Sequence, residues 1–97
     1  MPLYVGLLKF TAKGAGDMKG WPKRVEEAKA TWEAMGGKTI AVVATMGEYD
    51  MVTVGEAPSD EIAVTWAAGV TANGYMTTTT LKGFSMEEMG ALLARLP

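Results

Sequence analysis

The chain has 97 residues, of which 48% are apolar and 21% charged, with a formal net charge of −2. This composition is typical of a globular chain, and the length predicts one domain over residues 1–97. The absence of Cys and His excludes disulfides, thiol or imidazole catalysis and the usual zinc and haem ligands, so we expect no cofactor.

Charge and hydropathy also bear on partners and location. A nucleic-acid-binding protein usually needs a basic face, which the negative net charge argues against. No apolar run approaches the roughly 20 residues of a membrane span. The start of the chain, Met1–Val5, has no charged region of the kind that opens a signal peptide. We therefore expect a cytoplasmic protein with neither nucleic acid nor membrane as partner.

The first part of the chain predicts a strand and then a helix. Leu3–Thr11 is short and apolar, and it ends where Gly and Lys become frequent. Pro22 suits the first turn of a helix, and Gly36-Gly37 suits its end. Between them, apolar residues recur at helical spacing: Val25, Ala28, Trp32 and Met35.

Residues 12–20, between this strand and this helix, contain several Gly and Lys residues. Together with Lys23 and Arg24 they resemble an anion-binding loop in front of a helix N-terminus. Their spacing matches neither the Walker motif nor the dinucleotide glycine pattern. A solvated loop is the commoner structure for such a stretch, and we predict a flexible loop here.

The remainder of the chain predicts three strands and two helices. Ser59 or Asp60 can cap the second helix, and Asn73-Gly74 can end it. Ser85 and Glu88 have the spacing of a capping box for the last helix. The predicted strands are 39–46, 51–54 and 75–82, and the predicted helices are 59–72 and 85–96.

This order of elements predicts an α+β fold. Two βαβ halves joined by a hairpin describe the ferredoxin-like βαββαβ arrangement. Right-handed crossovers place both long helices on one face of a four-stranded antiparallel sheet. The last helix is then an addition at the C-terminal end.

The first strand is apolar on both of its faces. Its two sets of side chains are Leu3, Val5 and Leu7 on one side and Tyr4, Leu8 and Phe10 on the other. A strand that is apolar on both faces is normally covered on both, but the helices of one chain cover only one face. We therefore expect a homodimer or higher homo-oligomer that covers the other face, and we assign Tyr4 and Phe10 to it.

The hairpin Gly47-Glu48-Tyr49-Asp50 joins the second and third strands. A Gly at the first central position supplies the positive φ of a two-residue hairpin turn. If Gly47-Glu48 forms that turn, Met46 lies opposite Tyr49. Thr45 then lies opposite Asp50. Because side chains alternate along a strand, the Tyr and Asp would point to opposite sides of the sheet.

This hairpin, with Met51–Val54 and Glu56–Pro58 after it, resembles the motif of the GYD-domain proteins, which are small bacterial and archaeal chains. The resemblance covers nearly the whole chain. Further similar segments are Leu3-Tyr4-Val5, Gly36-Gly37 and Thr79-Thr80-Leu81 with Phe84. The resemblance implies a dimeric α+β barrel, in which two ferredoxin-like sheets pack face to face. It implies no particular activity.

Tyr49, Asp50 and Trp66 are the candidate ligand-binding residues. A phenol and a carboxylate at the mouth of an apolar pocket can orient a small ligand or move a proton. The structural alternative has Asp50 bonding backbone N–H groups beside the turn, Tyr49 packing at the barrel mouth and Trp66 filling the core. The eight Met residues are best explained as core filling.

Three hypotheses for function follow. The first is a binding or sensing module that holds a small organic ligand between sheet and helices, near Tyr49 and Asp50. The second is a cofactor-independent monooxygenase or isomerase, which rests on fold analogy alone. The third is a subunit that serves only in assembly. A cavity lined by polar groups discriminates among them, since an enzyme or a sensor needs one.

Overall fold

The computed structural model describes residues 1–97 and contains one four-stranded sheet. The strands are β1 (Leu3–Phe10), β2 (Lys38–Ala44), β3 (Met51–Glu56) and β4 (Met76–Gly83). The helices are α1 (Ala12–Ala15), α2 (Trp21–Ala34), α3 (Asp60–Asn73) and α4 (Met86–Leu93), with a 3₁₀ turn at Met18–Gly20. None of these helices is both long enough and apolar enough to cross a membrane.

The strand order across the sheet is β2-β3-β1-β4, and every neighbouring pair is antiparallel. The chain crosses from β1 to β2 through α2 and from β3 to β4 through α3. This is the ferredoxin-like arrangement, with α4 as the added C-terminal helix. The predicted α+β fold of the subunit is confirmed.

Local side-chain bonds explain where α3 and α4 begin. Ser59 Oγ accepts the N–H of Ile62 at 3.3 Å. Ser85 Oγ accepts the N–H of Glu88, and the Glu88 carboxylate accepts the N–H of Ser85, both at 3.0 Å. This is the predicted capping box, and its hydrogen bonds lower the pKa of the Glu88 carboxyl. Gly74, at φ 81°, ends α3 in the left-handed conformation.

Residues 12–20 form α1 and the 3₁₀ turn, so the prediction of a flexible loop is wrong. Thr11 Oγ1 accepts the N–H of Gly14 at 3.1 Å and so caps α1. A Cβ on Gly14 would collide with the carbonyl oxygen of Tyr75, and this close approach explains the glycine. Arg24 Nη1 donates to Asp17 Oδ2 at 2.9 Å and ties the segment to α2.

The strand register separates two faces of the sheet. Tyr4 and Leu8 are buried on the face that α2 and α3 cover, and Phe10 lies 4.7 Å from the ring of Trp21 in α2. Our assignment of Tyr4 and Phe10 to the dimer face is therefore wrong, because the helices pack on their side of β1. The opposite face, which we term the open face, carries Leu3, Val5, Leu7, Ala41, Val43, Val52, Val54 and Leu81.

Two clusters of buried residues lie beneath the helices. The first cluster contains Tyr4, Trp32, Ala57 and Ala63, against which Ile62 and Trp66 pack. The second cluster contains Leu8, Met51 and Met76, against which Phe10, Trp21, Val25, Val42, Val70 and Tyr75 pack. The two clusters lie at opposite ends of β1, since Tyr4 and Phe10 are near its two ends.

Candidate functional site

The hairpin keeps its predicted register but has a longer loop. Thr45 N–H donates to the carbonyl of Asp50 at 2.9 Å, so these two residues lie opposite each other as predicted. The ladder stops there, because no backbone hydrogen bond joins Met46 to Tyr49. Thr45 Oγ1 instead donates to the carbonyl of Tyr49 at 2.6 Å. The two-residue turn is therefore replaced by a loop over residues 46–49.

The Asp50 carboxylate extends the pairing of β3 with β1. Its Oδ2 accepts the N–H of Phe10 at 2.8 Å, and the Asp50 N–H donates to the carbonyl of Leu8 at 2.8 Å. The side chain supplies an acceptor where the main chain leaves the sheet. Asp50 thus bonds backbone N–H, which is the structural role that we weighed, although its partner lies in β1 and not in the turn.

Tyr49 lies on the side of the sheet away from α2 and α3. Lys9 projects from the open face, because it alternates with Leu8. Lys9 Nζ is 5.2 Å from the centroid of the Tyr49 ring and 3.6 Å from Glu48 Oε1. The Tyr49 ring is thereby placed at the hairpin end of the open face.

Trp66 lies on the opposite side of the sheet, between α2 and α3. Its Nε1 donates to the carbonyl of Ala28 at 2.9 Å, and its ring centroid is 5.3 Å from that of Trp32 in an edge-to-face arrangement. The structure therefore does not bring Trp66 together with Tyr49 in one subunit. The prediction that Tyr49 shares a side of the sheet with Met51 is wrong, because Met51 lies opposite Leu8 on the helix-covered side and the Tyr49 ring lies beside Lys9.

A cleft of about 660 Å³ opens between α2, α3 and the sheet. Its lining is mainly apolar and aromatic, and includes Trp21, Val25, Met51, Trp66, Val70 and Tyr75. Small-molecule sites commonly have volumes of about 300–1,000 Å³ and linings of this kind. A smaller cavity of about 50 Å³ also contacts Tyr4 and Trp32, and it shares four lining residues with the cleft: Val25, Ala28, Met51 and Trp66.

Small residues on the helices account for the space. Trp66 spans the gap from α3 to Ala28 of α2, but Gly69, about one turn later in α3, has no side chain to continue that contact. Gly69 lines the cleft, and a Cβ built on it would have no heavy atom within 4 Å. Because Gly69 has no side chain, the cleft stays open beside it.

Tyr4, Asp60 and Lys82 meet at the first cluster. Tyr4 OH donates to Asp60 Oδ1 at 2.5 Å, and Lys82 Nζ lies 3.0 Å from the same oxygen. Burial and the bond to Asp60 raise the pKa of Tyr4 to about 12, whereas the bonds from Tyr4 and Lys82 lower the pKa of Asp60. At neutral pH Tyr4 is consequently a neutral donor. No group of three carboxylates in the chain is placed to hold a metal ion.

Cationic and aromatic side chains meet at the other end, beside the second cluster. The guanidinium carbon of Arg24 is 4.1 Å, and Lys13 Nζ 4.3 Å, from the centroid of the Tyr75 ring. Trp21 Nε1 and Arg24 Nε are buried and have no hydrogen-bond acceptor. The sequence pointed to Arg24 through the basic stretch, but not to Trp21 or Tyr75. The signals that could have indicated them are their positions in the sequence. Trp21 directly precedes Pro22 at the start of α2, and Tyr75 directly precedes β4.

Comparison with known proteins adds a family. A family model described as the GYD domain matches residues 4–93. No curated protein and no solved structure gives a significant match. The matched range includes the hairpin and all residues that line the cleft. The resemblance drawn from the sequence is confirmed.

Proposed function

The chain belongs to the GYD-domain family, and we propose that it binds a small, largely apolar organic molecule in the cleft between α2, α3 and the sheet. The cleft itself is the observation that carries this proposal, because its volume of about 660 Å³ and its aromatic walls suit such a ligand. Burying those walls would contribute roughly 25 cal/mol per Å² of apolar surface removed from water.

The proposed site retains Trp66 as a ligand contact and lies away from the hairpin. Trp66 lines both the cleft and the smaller cavity, whereas Tyr49 and Asp50 line neither. Asp50 is already engaged by Phe10 N–H. In this proposal the hairpin maintains the sheet, and the ligand lies against the helix-covered face.

Binding has better support than the alternative of a monooxygenase or isomerase. An enzyme without cofactor needs a positioned base close to its substrate. Glu27, the carboxylate that lines the cleft, is exposed to solvent. Tyr4, the phenol that lines the smaller cavity, has a pKa raised to about 12 and donates to Asp60. A phenol of that kind is a poor base at neutral pH. We therefore favour a binding or sensing role.

We also propose that two copies pair through their open faces as a dimeric α+β barrel. No helix of the chain covers this face, and its side chains include Val43, which is 50% exposed, and Leu81, which is 46% exposed. A second copy offers the same apolar surface, so a two-fold axis makes the faces complementary. Assembly alone does not account for the cleft, because the cleft lies on the other side of the sheet.

The neutral dye N-phenyl-1-naphthylamine tests the ligand site, because its fluorescence rises in apolar surroundings. We expect saturable binding to the intact chain. Gly69→Leu should weaken it by about tenfold or more, since a tenfold change is about 1.4 kcal/mol and the new side chain fills the cleft.

Gly90→Leu is the matched control for that variant. Gly90 lies within α4, and its Cβ, like that of Gly69, would have no neighbour within 4 Å. Both substitutions improve helix propensity, so neither should unfold the chain. Equal dye affinity in Gly69→Leu and Gly90→Leu would show that the cleft is not the binding site.

Sedimentation over a dilution series tests the dimer. Val43→Lys places a charge on the open face and should shift the chain toward monomer. Val64→Lys is the control, because Val64 is 67% exposed and lies on α3. A monomeric parent chain at micromolar concentration, or a Val43→Lys variant that associates as the parent does, would contradict pairing through this face.

A further inference from the structure

We propose that the ligand of the cleft is an organic anion, whose acidic group is held at the end formed by Trp21, Arg24 and Tyr75, with Lys13 beside them. This inference rests on the proposed function, because it concerns the same cleft, and it adds the chemical class of the ligand. The apolar part of the molecule would lie along Val25, Met51, Trp66 and Val70.

Positive charge is concentrated at this end, although the chain as a whole is negative. The formal net charge is −2, yet residues 12–24 carry Lys13, Lys19, Lys23 and Arg24 against Asp17 alone. The helix α2 also begins here, with no acidic residue in its first turn and no side-chain cap. The positive end of the α2 dipole adds to these charges, and both favour an anion.

Two buried donors at this end are left without an acceptor. They are Nε1 of Trp21 and Nε of Arg24, and both residues line the cleft. An unpaired buried N–H costs about 1–3 kcal/mol. Because Trp21 Nε1 makes no hydrogen bond, turning the ring toward the cleft breaks none. An acidic group in the cleft then supplies the acceptor that Trp21 Nε1 lacks, beside the positive charge of Arg24.

The neighbouring carboxylates do not already serve as that acceptor. Asp17 accepts from Nη1 of Arg24 through its side chain at 2.9 Å and from Nη2 through its carbonyl at 3.0 Å, and these bonds leave Nε unused. Glu27 lines the cleft but is exposed to solvent. Lys13 has no carboxylate partner, and its Nζ bonds only the carbonyl of Asn73, at 3.3 Å. The positive charge of Lys13 therefore has no carboxylate partner at this end of the cleft.

Two dyes that share a ring system separate this inference from the proposed function. 8-Anilinonaphthalene-1-sulfonate is the sulfonated counterpart of N-phenyl-1-naphthylamine, so their affinities differ through the acidic group. We expect the sulfonate to bind about tenfold more tightly, a difference of about 1.4 kcal/mol. Arg24→Met keeps an apolar stem but removes the charge, and it should weaken binding of the sulfonate several-fold more than binding of the neutral dye.

Lys38→Met is the charge control. Lys38 begins β2 and pairs with Glu56, at the opposite end of the sheet from Trp21. It should leave both affinities unchanged. Because Arg24 also holds Asp17, Lys13→Met and Trp21→Phe repeat the test with that bond intact. Each should reduce the preference for the sulfonate several-fold.

The outcomes are distinguishable. Equal affinity of the parent chain for the two dyes, or equal weakening of both by Arg24→Met, Lys13→Met and Trp21→Phe, overturns the anion inference. Binding of the neutral dye that Gly69→Leu weakens would still support the cleft in that case. Failure of both dyes to bind overturns the proposed function and the inference together.

Discussion

The two clusters beneath α2 and α3 lie on the same face of the sheet, but they differ in whether the polar groups of their aromatic side chains have hydrogen-bond partners. In the first cluster every aromatic donor has an acceptor. The three bonds are Tyr4 OH to Asp60 at 2.5 Å, Trp32 Nε1 to the Lys38 carbonyl at 3.3 Å and Trp66 Nε1 to the Ala28 carbonyl at 2.9 Å. In the second cluster, Trp21 Nε1 has no acceptor at all.

The glycines near the first cluster and the glycine in the cleft also differ in how closely they are packed. At the first cluster, a Cβ would lie 2.5 Å from Trp32 Nε1 if built on Gly37 and 2.9 Å from it if built on Gly55. The backbone at both glycines therefore packs closely against the indole ring. Along the cleft, a Cβ on Gly69 would touch nothing. We infer that the first cluster contributes most to stability. The end of the helix-covered face that contains the cleft is packed less closely and is the end suited to binding.

Truncation of Trp32 should have the largest effect on stability. Trp32→Ala removes a ring that is 7% exposed and leaves a cavity between α2 and the sheet. We expect the free energy of unfolding to fall by about 3–5 kcal/mol. Trp21→Ala should cost less, because that ring already borders the cleft. Urea denaturation measures both losses, and equal losses would remove the distinction between the clusters.

Local signals in the sequence were sufficient to predict the four strands and the three longer helices, although not α1 or the 3₁₀ turn. Ser59, Gly74 and Ser85 act on backbone within a few residues of themselves, and the predicted ends of α3 and the start of α4 were close for that reason. The antiparallel order of the strands followed from the sequence of elements. These features depend on periodicity and capping, which a single sequence contains.

Contacts between distant residues were not predictable in the same way. Alternation shows that Tyr4 and Leu8 share a face, but not which face the helices will cover. Glycine is needed at position 14 because a Cβ there would collide with the carbonyl oxygen of Tyr75, which is distant in the sequence. The cleft depends on the distance between α2 and α3 beyond the Trp66–Ala28 contact. That spacing is a property of tertiary packing and leaves no pattern in either helix alone.

The Tyr4–Asp60 bond should make the first cluster sensitive to pH. The folded pKa of Tyr4 is raised from 10.0 to about 12, so its contribution to stability is complete below pH 10 and is lost as the pH rises to about 12. The lowered pKa of Asp60 gives a contribution that is present above its ordinary value of 3.8 and is lost as the pH falls below it. Both losses should be smaller than that caused by Trp32→Ala.

Tyr4→Phe tests this dependence. Stability should be lower than that of the parent at pH 7. The difference should shrink as the pH rises from 10 to about 12, where Tyr4 of the folded parent loses its proton, and as the pH falls below 3.8, where Asp60 becomes protonated. Tyr49→Phe is the control, since the Tyr49 hydroxyl has no comparable carboxylate bond. A pH-independent difference between Tyr4→Phe and the parent would show that Tyr4 stabilises through packing alone.

Paired indole substitutions isolate the hydrogen bonds of the two clusters. Trp66→Phe and Trp21→Phe remove the same atoms, but only Trp66 loses an acceptor, the carbonyl of Ala28. Trp66→Phe should lower the free energy of unfolding by about 1 kcal/mol more than Trp21→Phe. Chemical denaturation at pH 7 gives this difference. If Trp21→Phe costs as much, Trp21 Nε1 has a partner in solution and is not an unsatisfied donor.

The smallest expected effect concerns the wall of the cleft. Gly69→Ala and Gly90→Ala each replace a glycine inside a helix, and each should stabilise the chain by about 0.5–1 kcal/mol through helix propensity. The two gains should be equal, because neither new Cβ has a neighbour within 4 Å. Thermal unfolding of the two variants provides the comparison. A loss of stability in Gly69→Ala alone would mean that α2 lies closer to α3 in solution, and the cleft would then be too narrow for a ligand.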